Sequence, residues 1–190
     1  MSNIALFASG NGTNADNIIR YFQKNIDIKV NLVLSNKAEA YVLERIKPYT
    51  IDSFVFNSNE LRNTNIVLDK LREYKIDFIV LAGFLLMIPE NILNAFPNKI
   101  INIHPALLPK FGGKGMHGMH VHHSVIEAKE TESGISIHYV NAKYDEGNII
   151  FQAKCSILPN DTPEILANKI HQLEQQHFPK IIEQVVAKLK

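Results

Sequence analysis

The sequence predicts an α/β fold in which a doubly wound, mostly parallel sheet of Rossmann-like type carries an appended antiparallel pair of strands near its C-terminus. Two observations lead to this prediction. Short apolar runs alternate with segments of helical periodicity through the first hundred residues, and the last two predicted strands follow each other without a helix between them. The 190 residues are 46% hydrophobic, enough for one substantial core, so we expect a single domain over residues 1–190.

Composition narrows the possible classes of partner. Lys and Arg number 20 against 19 Asp and Glu, and the net charge of +1 gives no overall basic field for nucleic acid. The one cysteine, Cys155, cannot form an internal disulfide, and a reducing cytoplasm is its simplest context. The first residues lack a signal-peptide pattern, and no apolar run approaches the roughly 20 residues that span a bilayer. We therefore expect a cytoplasmic protein with no nucleic-acid or membrane partner.

The first strand is predicted over residues 4–8 and leads directly into the loop Ser9-Gly10-Asn11-Gly12-Thr13-Asn14. Apolar residues at helical spacing follow, so the order is strand, Gly-rich loop, helix. Glycines allow backbone amides to approach a ligand and a helix N-terminus attracts anions, which indicates a phosphate site with Thr13 and Asn14 as further donors. The loop has neither a Walker A nor a complete G-x-G-x-x-G pattern, and a simple chain reversal is the alternative.

Strands and helices continue to alternate up to residue 104. Strands are predicted over residues 30–34, 53–56, 77–82 and 99–104, and helices over 40–46, from 59 through 71 and from 89. Arg62 lies near the start of the helix predicted from residue 59, where a cation does not favour the helix dipole, so it either binds an anion or is a solvated surface arginine. The apolar residues 83–89 extend past a strand end as a lid, a core plug or one wall of a pocket for a flat ligand.

Asn102 and His104 are the two residues whose spacing points most directly to chemistry. In a strand, residues two apart point to the same face, and Pro105 ends this strand directly after His104. Both side chains should therefore emerge at a carboxyl end, where open α/β sheets place their ligand crevices. An amide beside an imidazole suits a reaction in which a carbonyl becomes an oxyanion, since the amide holds the oxygen and the imidazole moves a proton. The alternative is a polar strand end with a capping histidine.

The C-terminal part of the sequence begins with an irregular, glycine-rich loop predicted over residues 110–123, followed by a helix over 124–129. This loop contains four histidines, His117, His120, His122 and His123. Their spacing matches no His-Glu-x-x-His pattern and no cysteine lies nearby, so a loop that lines an anionic site is favoured over a metal site.

Two more strands, predicted over residues 134–140 and 148–153, should form a hairpin-like pair joined by a turn at 141–147. His138 on the first of them is either a satisfied core histidine or a site residue. A helix is predicted from Pro163 to the C-terminus, and Pro179 is expected to kink or break it.

Five motifs follow one another along the chain: Ser-Gly-Asn-Gly-Thr-Asn at 9–14, Ser-Asn-Lys-Ala at 35–38, Leu-Ala-Gly-Phe at 81–84, Asn-Ile-His-Pro-Ala-Leu-Leu-Pro at 102–109 and Asp-Glu-Gly at 145–147. With these motifs the chain resembles the phosphoribosylglycinamide formyltransferases, folate-dependent enzymes of purine biosynthesis, along essentially its whole length. The resemblance implies the formyltransferase fold and transfer of the formyl group of 10-formyltetrahydrofolate to the amine of glycinamide ribonucleotide. It implies small-molecule partners, no metal, and a monomer or homodimer.

The resemblance also implies residue roles. His104 would donate a proton, Asn102 would hold the formyl oxygen, and Asp145, preferred to the adjacent Glu146, would support His104 and raise its pKa. A phosphate-binding half would span about residues 1–100, and a folate and catalytic half about 101–190. The ribonucleotide would contact Gly12, Thr13, Asn14 and Glu174. The folate would contact Arg62, Leu85, Leu86, Met87, Ile88, Asn102, Asn141 and Asp145, with residues 141–145 closing over its pterin end.

Other functions share part of this pattern. A methionyl-tRNA formyltransferase would need an additional RNA-binding domain, and a formyltetrahydrofolate hydrolase usually has an extra N-terminal regulatory domain; we expect neither here. A non-catalytic phosphate-binding module would depend on the loop at Gly12 and not on His104. A metal-dependent hydrolase would depend on His117, His120 and His122. Substitution of His104 should abolish the activity of an enzyme but leave a binding module unaffected. Activity that survives a chelator would count against the metal-dependent hydrolase.

Overall fold

Seven strands form one continuous sheet in the computed structural model, which describes residues 1–189. They are β1 (Ser2–Phe7), β2 (Ile28–Ser35), β3 (Asp52–Val55), β4 (Phe78–Leu81), β5 (Ile100–His104), β6 (Glu132–Tyr139) and β7 (Ile149–Ser156). Their spatial order is β3-β2-β1-β4-β5-β6-β7. The first five strands pair in parallel, whereas β6 is antiparallel to both β5 and β7. The predicted parallel sheet with an appended antiparallel pair is confirmed.

Helices cover both faces of the sheet. They are α1 (Thr13–Phe22), α2 (Tyr41–Arg45), α3 (Ser58–Asn63), α4 (Ile66–Glu73), α5 (Glu90–Ala95), α6 (Met119–Glu127) and α7 (Pro163–Ala187). One face packs against α1, α2, α6 and α7 and the other against α3, α4 and α5, which gives two separate apolar clusters. This is the two-sided burial expected when apolar runs form parallel strands between helices.

The single helix predicted from residue 59 through 71 is wrong in one respect, because the chain forms two helices there. Asn57 and Glu60 make a reciprocal capping box that begins α3. Thr64 is extended, and its hydroxyl donates to the Glu60 carbonyl while it accepts the Ile66 amide. The side chain of Thr64 therefore ends α3 and begins α4 with local hydrogen bonds that compete with the helix.

The helix predicted over 124–129 begins earlier, at Met119, and this changes the environment of the histidines. Gly118 has a positive φ of 56° immediately before α6. Val121 and Val125 lie four residues apart on the buried face of the helix. His120, His122 and His123 are thus helical residues instead of loop residues, and only His117 lies in the irregular segment.

Pro179 was expected to kink or break the last helix, and it does not break it, because α7 runs without interruption from Pro163 to Ala187. A proline inside a helix has no N–H, so the carbonyl four residues earlier loses its donor. That carbonyl belongs to Gln175, and the amide of Asn17 from α1 donates to it at 3.0 Å. The helix continues because a neighbouring element supplies the missing hydrogen bond.

No helix within residues 1–189 is long and apolar enough to cross a membrane.

Gly134 permits close approach of β6 and β7, and Gly134→Ala is expected to destabilise the fold. A Cβ there would lie 1.9 Å from the Ala153 carbonyl oxygen and 2.7 Å from a methyl carbon of Leu107. Forcing these atoms apart should reduce the free energy of unfolding by roughly 1–3 kcal/mol, measured by urea denaturation. Gly10→Ala is the matched control, because nothing lies within 4 Å of a Cβ at that position. Equal denaturation midpoints for the two variants would contradict this account.

Candidate active site

A cleft of about 720 Å³ opens at the edge where the parallel strands end. Its walls come from the loops that follow β1, β4 and β5, from the turn between β6 and β7, and from one face of α7. The lining includes Gly12, Thr13, Asn14, Leu85, Leu86, Met87, Ile88, Asn102, His104, Asn141, Asp145 and Glu174. Nearly all the residues that the sequence marked as candidates therefore face one cavity, at the position where open α/β sheets bind ligands.

Gly12 shapes one end of the cleft. It precedes α1 with φ 75°, and a Cβ there would lie 2.5 Å from a methyl carbon of Val42. Only glycine fits that backbone and that contact without strain. The loop therefore presents the first amides of α1 to the cleft, where they have no partner within the helix. This geometry can hold an anion such as phosphate.

Asn14 and Glu174 meet beside that loop although 160 residues separate them. The Asn14 amide donates to the Glu174 carboxylate at 2.9 Å, and the Gln175 amide donates to the Asn14 side-chain oxygen at 3.3 Å. His171, one turn before Glu174 on α7, places Nδ1 3.4 Å from the same carboxylate. The hydrogen bond to Glu174 outweighs partial burial and raises the pKa of His171. A carboxylate, two amides and an imidazole, all able to hydrogen-bond hydroxyl groups, thus adjoin the loop at Gly12.

Residues 83–88 form one wall of the cleft instead of a plug. Phe84 and Ile88 are buried in the core, while Leu85 and Met87 are exposed toward the cavity. Ser9 anchors this segment: its hydroxyl accepts the Leu85 amide at 3.0 Å and its own amide donates to the Gly83 carbonyl at 3.0 Å. An exposed apolar wall with backbone groups at its rim suits a flat ligand.

Asn102 faces the antiparallel strand β6, directly opposite His138. The His138 Nδ1 lies 2.9 Å from the Tyr139 carbonyl oxygen, to which it can donate. Its Nε2 lies 3.1 Å from the Asn102 amide nitrogen and 3.5 Å from Asp145 Oδ1, so it accepts from Asn102 when unprotonated and donates to Asp145 when protonated. Next to His138 the β6–β7 pairing shifts, because residues 149–151 lie opposite residues 137–138. Such a bulge redirects side chains. His138, which the sequence left open, is a residue of the cleft.

His104 ends β5 with only 3% of its surface exposed. Its Nε2 lies 2.7 Å from the Phe111 carbonyl oxygen and its Nδ1 lies 3.6 Å from Asp145 Oδ2. Both ring nitrogens face acceptors, which favours the protonated ring, but burial opposes the charge more strongly. Burial therefore lowers the pKa of His104 despite the raising effects of Asp145 and Phe111. The expected raised pKa is wrong in its net direction, although Asp145 acts as expected.

Asp145 is held as a carboxylate. Its burial alone would raise its pKa, but the hydrogen bond with His138, the charge of His104 and the Gly113 amide, 2.9 Å from Oδ2, together lower the pKa. Its backbone has a positive φ of 54° at the tip of the turn. The adjacent Glu146 instead pairs with Lys143 at 3.1 Å on the surface. The geometry therefore distinguishes the two carboxylates and places Asp145 in the cleft.

The remaining predicted residues lie apart from this cluster or at its margin. Asn141 lines the cleft beside the turn. Arg62 is exposed on α3, and the cleft-lining residues among 1–189 do not include it, so its contact with a ligand stays a prediction. His117 and His122 also line the cleft. Within residues 1–189 no group of three His, Cys, Asp or Glu side chains has the arrangement of a metal site.

Three partners in the site are absent from the predictions made from the sequence, and only one of them had a signal in it. The Phe111 carbonyl and the Gly113 amide act through the backbone, which carries no residue-type signal. Only the glycines at positions 112, 113 and 115 indicated close backbone approach in this loop. His171 had a usable signal, because it lies three residues before Glu174 and so on the same helix face.

The chain is similar to known proteins over almost its whole length. Residues 2–182 match the family described as formyl transferase. The chain is 36% identical over 191 residues to phosphoribosylglycinamide formyltransferase of Bacillus subtilis (strain 168), which covers 98% of this chain and 95% of that protein. It is 38% identical over 186 residues to the chloroplastic phosphoribosylglycinamide formyltransferase of Arabidopsis thaliana, covering 94% of this chain but 63% of that longer protein.

Solved structures give the same result. The crystal structure of phosphoribosylglycinamide formyltransferase from Bacillus halodurans superposes with a TM-score of 0.88 at 35% identity, covering 100% of this chain and 97% of that one. Glycinamide ribonucleotide transformylase 1 from Geobacillus kaustophilus superposes with a TM-score of 0.88 at 32% identity, covering 97% and 98%.

Asp145→Asn is expected to lower the pKa of His104 further below the ordinary histidine value, because the substitution removes the anion that opposes burial. The pH dependence of the imidazole Cε1 proton shift, followed by NMR in both proteins, measures this change. Glu146→Gln is the matched control, since that exposed carboxylate pairs with Lys143 and should leave the pKa of His104 unchanged. A rise in the pKa of His104 in Asp145→Asn would contradict the assignment.

Proposed function

The chain belongs to the formyl transferase family, and we propose that its cleft transfers the formyl group of 10-formyltetrahydrofolate to the amine of 5'-phosphoribosylglycinamide. The products are phosphoribosyl-N-formylglycinamide and tetrahydrofolate, a step of de novo purine biosynthesis that leads to IMP. One observation carries the proposal most directly. Asn102, His104 and Asp145 meet at the floor of a single cleft that has an anion loop at one end and an apolar wall at the other.

The ribonucleotide binds at the end formed by α1 and α7. Its phosphate occupies the loop at Gly12, Thr13 and Asn14, where backbone amides and the positive end of the α1 dipole favour an anion. Its ribose hydroxyls contact Glu174, whose carboxylate is already oriented by Asn14. The glycyl amine then extends toward the catalytic cluster, because all of these residues line the same cavity.

The folate binds along the wall formed by Leu85, Leu86, Met87 and Ile88. Its pterin lies under the turn that contains Asn141 and Asp145, and Asn102 is within reach of its formyl group. We keep Arg62 as a contact for the far end of the folate, on the exposed surface of α3. The division into a phosphate-binding half and a folate and catalytic half is thus only approximate, since Glu174 and residues 85–88 fall on the opposite sides of it.

Chemistry begins when the neutral amine attacks the formyl carbon. A new C–N bond forms and the carbonyl oxygen becomes an oxyanion, which the Asn102 amide stabilises by donating a hydrogen bond. The bond from carbon to the folate N10 then breaks, and N10 must gain a proton as it leaves. The amine has a proton to lose, so one side chain that accepts and then donates a proton balances the reaction without a metal.

His104 supplies that proton transfer. Its lowered pKa leaves the ring neutral at pH 7, so it can accept the proton of the amine and become imidazolium. Asp145 stabilises the imidazolium, and the ring returns the proton to N10. The Phe111 carbonyl lies 2.7 Å from Nε2 of His104. When the substrate binds, the ring exchanges this contact for one with the substrate before the proton is transferred.

The protein acts on small molecules, and we propose that it works as a monomer or homodimer in the cytoplasm. Its net charge is near zero, which gives no overall basic surface to attract nucleic acid, and we propose no nucleic-acid partner.

His104→Ala is expected to reduce kcat by roughly 10²–10⁴-fold, the usual contribution of a general acid–base group. Asn102→Ala should reduce kcat by roughly 10²–10³-fold, the cost of losing one oxyanion donor. A spectrophotometric assay with a 10-formyl folate and glycinamide ribonucleotide measures both. His120→Ala is the matched control, because His120 lies outside the residues that line the cleft. Full turnover in His104→Ala would contradict the proton-transfer role of His104, whereas no turnover even in the unmodified protein would leave only a phosphate-binding module.

The same assay separates the related reactions. Turnover that requires both substrates and survives a chelator is the result expected of the proposed transferase. Release of formate from the folate without the ribonucleotide would instead indicate a hydrolase. Loss of turnover on chelation would contradict the mechanism, because no step in it uses a metal.

Arg62→Ala is expected to raise the KM for the folate a few-fold with little change in the KM for the ribonucleotide, since it removes one exposed cation from the folate end. Arg72→Ala is the matched control, an exposed arginine on α4 that pairs with Asp69. An identical folate KM in the two variants would remove Arg62 from the folate site.

A further inference from the structure

The backbone carbonyl of Gln175 connects α7 to α1 at the ribonucleotide end of the cleft. Pro179 cannot donate to it, and a helix carbonyl without a donor must find another partner. The Asn17 amide, one turn after Asn14 on α1, donates to this oxygen at 3.0 Å. The bond joins α1 to α7 at the residue next to Glu174.

The side chain of Gln175 makes the return connection to α1. Its amide nitrogen lies 3.3 Å from the Asn14 side-chain oxygen and 3.4 Å from the Thr13 carbonyl oxygen. A donor at the Asn14 oxygen fixes which way the Asn14 amide points. Its NH₂ group must then face Glu174, to which it donates at 2.9 Å. Gln175 thereby orients both Asn14 and Glu174.

We propose that Asn17 and Gln175 are positioning residues for the ribonucleotide, and that Asn17 acts through the carbonyl that Pro179 leaves without a donor. The inference rests on the proposed function, which places the phosphate at Asn14 and the ribose at Glu174. Neither Asn17 nor Gln175 is among the described residues that line the cleft. They act by fixing the positions of the side chains that bind the ribonucleotide.

Simple attachment of the two helices does not account for this arrangement. Farther along the chain, Tyr21 of α1 donates to Glu183 at 2.7 Å, and Asn25, which follows the helix, donates to the other oxygen of the same carboxylate at 2.9 Å. Buried apolar residues of both helices also share one core. The helices therefore remain packed without Asn17, whereas the backbone of residue 175 loses its hydrogen bond to α1, and the weaker contacts of Gln175 with Asn14 then hold residues 174 and 175 less firmly.

The test is a double-mutant cycle between residues 17 and 179. Asn17→Leu removes the donor at nearly constant volume and should raise the KM for the ribonucleotide roughly three- to tenfold, as expected for one hydrogen bond, with the folate KM and kcat unchanged. Pro179→Ala restores an N–H that can donate to the Gln175 carbonyl. In the double variant the ribonucleotide KM should therefore return to within about twofold of the Pro179→Ala value.

Two further variants sharpen the cycle. Gln175→Met should raise the ribonucleotide KM as Asn17→Leu does, but Pro179→Ala should not rescue it, because the side-chain donor is lost. Tyr21→Phe removes another α1–α7 hydrogen bond and should leave both KM values unchanged. If Asn17→Leu fails to fold, as judged by thermal denaturation, Gln175→Met carries the test.

Three outcomes would overturn the inference: an unchanged ribonucleotide KM in Asn17→Leu, an increase that Pro179→Ala does not rescue, or an equal increase in Tyr21→Phe. Failure of the proposed function looks different, because the unmodified protein would then show no turnover with glycinamide ribonucleotide at all.

Discussion

The carboxylate of Asp145 organises the site, because a buried negative charge is tolerated only where donors or cations surround it. Its two oxygens face the Gly113 amide, the Asn102 amide and two imidazoles. These four groups come from three parts of the chain, so satisfying one charge brings the loop after β5, the end of β5 and the strand β6 together. These groups lower the pKa of Asp145 more than burial raises it, so the surroundings favour the charged carboxylate.

The sheet determines which groups can reach that carboxylate. Parallel strands all end at one edge, so β1, β4 and β5 bring the loop at Gly12, the apolar wall and His104 to the same cavity. The antiparallel partner β6 adds what a parallel strand could not, a side chain directly opposite Asn102 and a short turn that brings Asp145 back over the strand ends. Helix α7 closes the remaining side with Glu174. Both directions of strand are thus needed to assemble the cleft.

Sequence periodicity predicted the strands and the pairing of Asn102 with His104 on one face, because alternation along a strand is a local property. It could not predict the partners of His104, since one is the Phe111 carbonyl and the other depends on a turn 41 residues away in sequence. The prediction that the pKa of His104 is raised was wrong for a related reason. The nearby anion could be inferred from the sequence, whereas the depth of burial, which lowers the pKa, could not. The unbroken helix at Pro179 could not be predicted from the sequence either, because the donor to the Gln175 carbonyl comes from Asn17 of α1.

The bulge beside His138 has a consequence for how the chain can change in length. Three residues of β7 lie opposite two of β6 at this point, and the turn that carries Asp145 is joined directly to both strands. Deleting one residue there would restore a regular ladder and move the turn by one step relative to Asn102. Side chains alternate between faces at each step, so such a deletion would turn His138 or Asp145 away from the cleft. This segment is therefore intolerant of single-residue insertions and deletions even at positions where substitutions would be accepted.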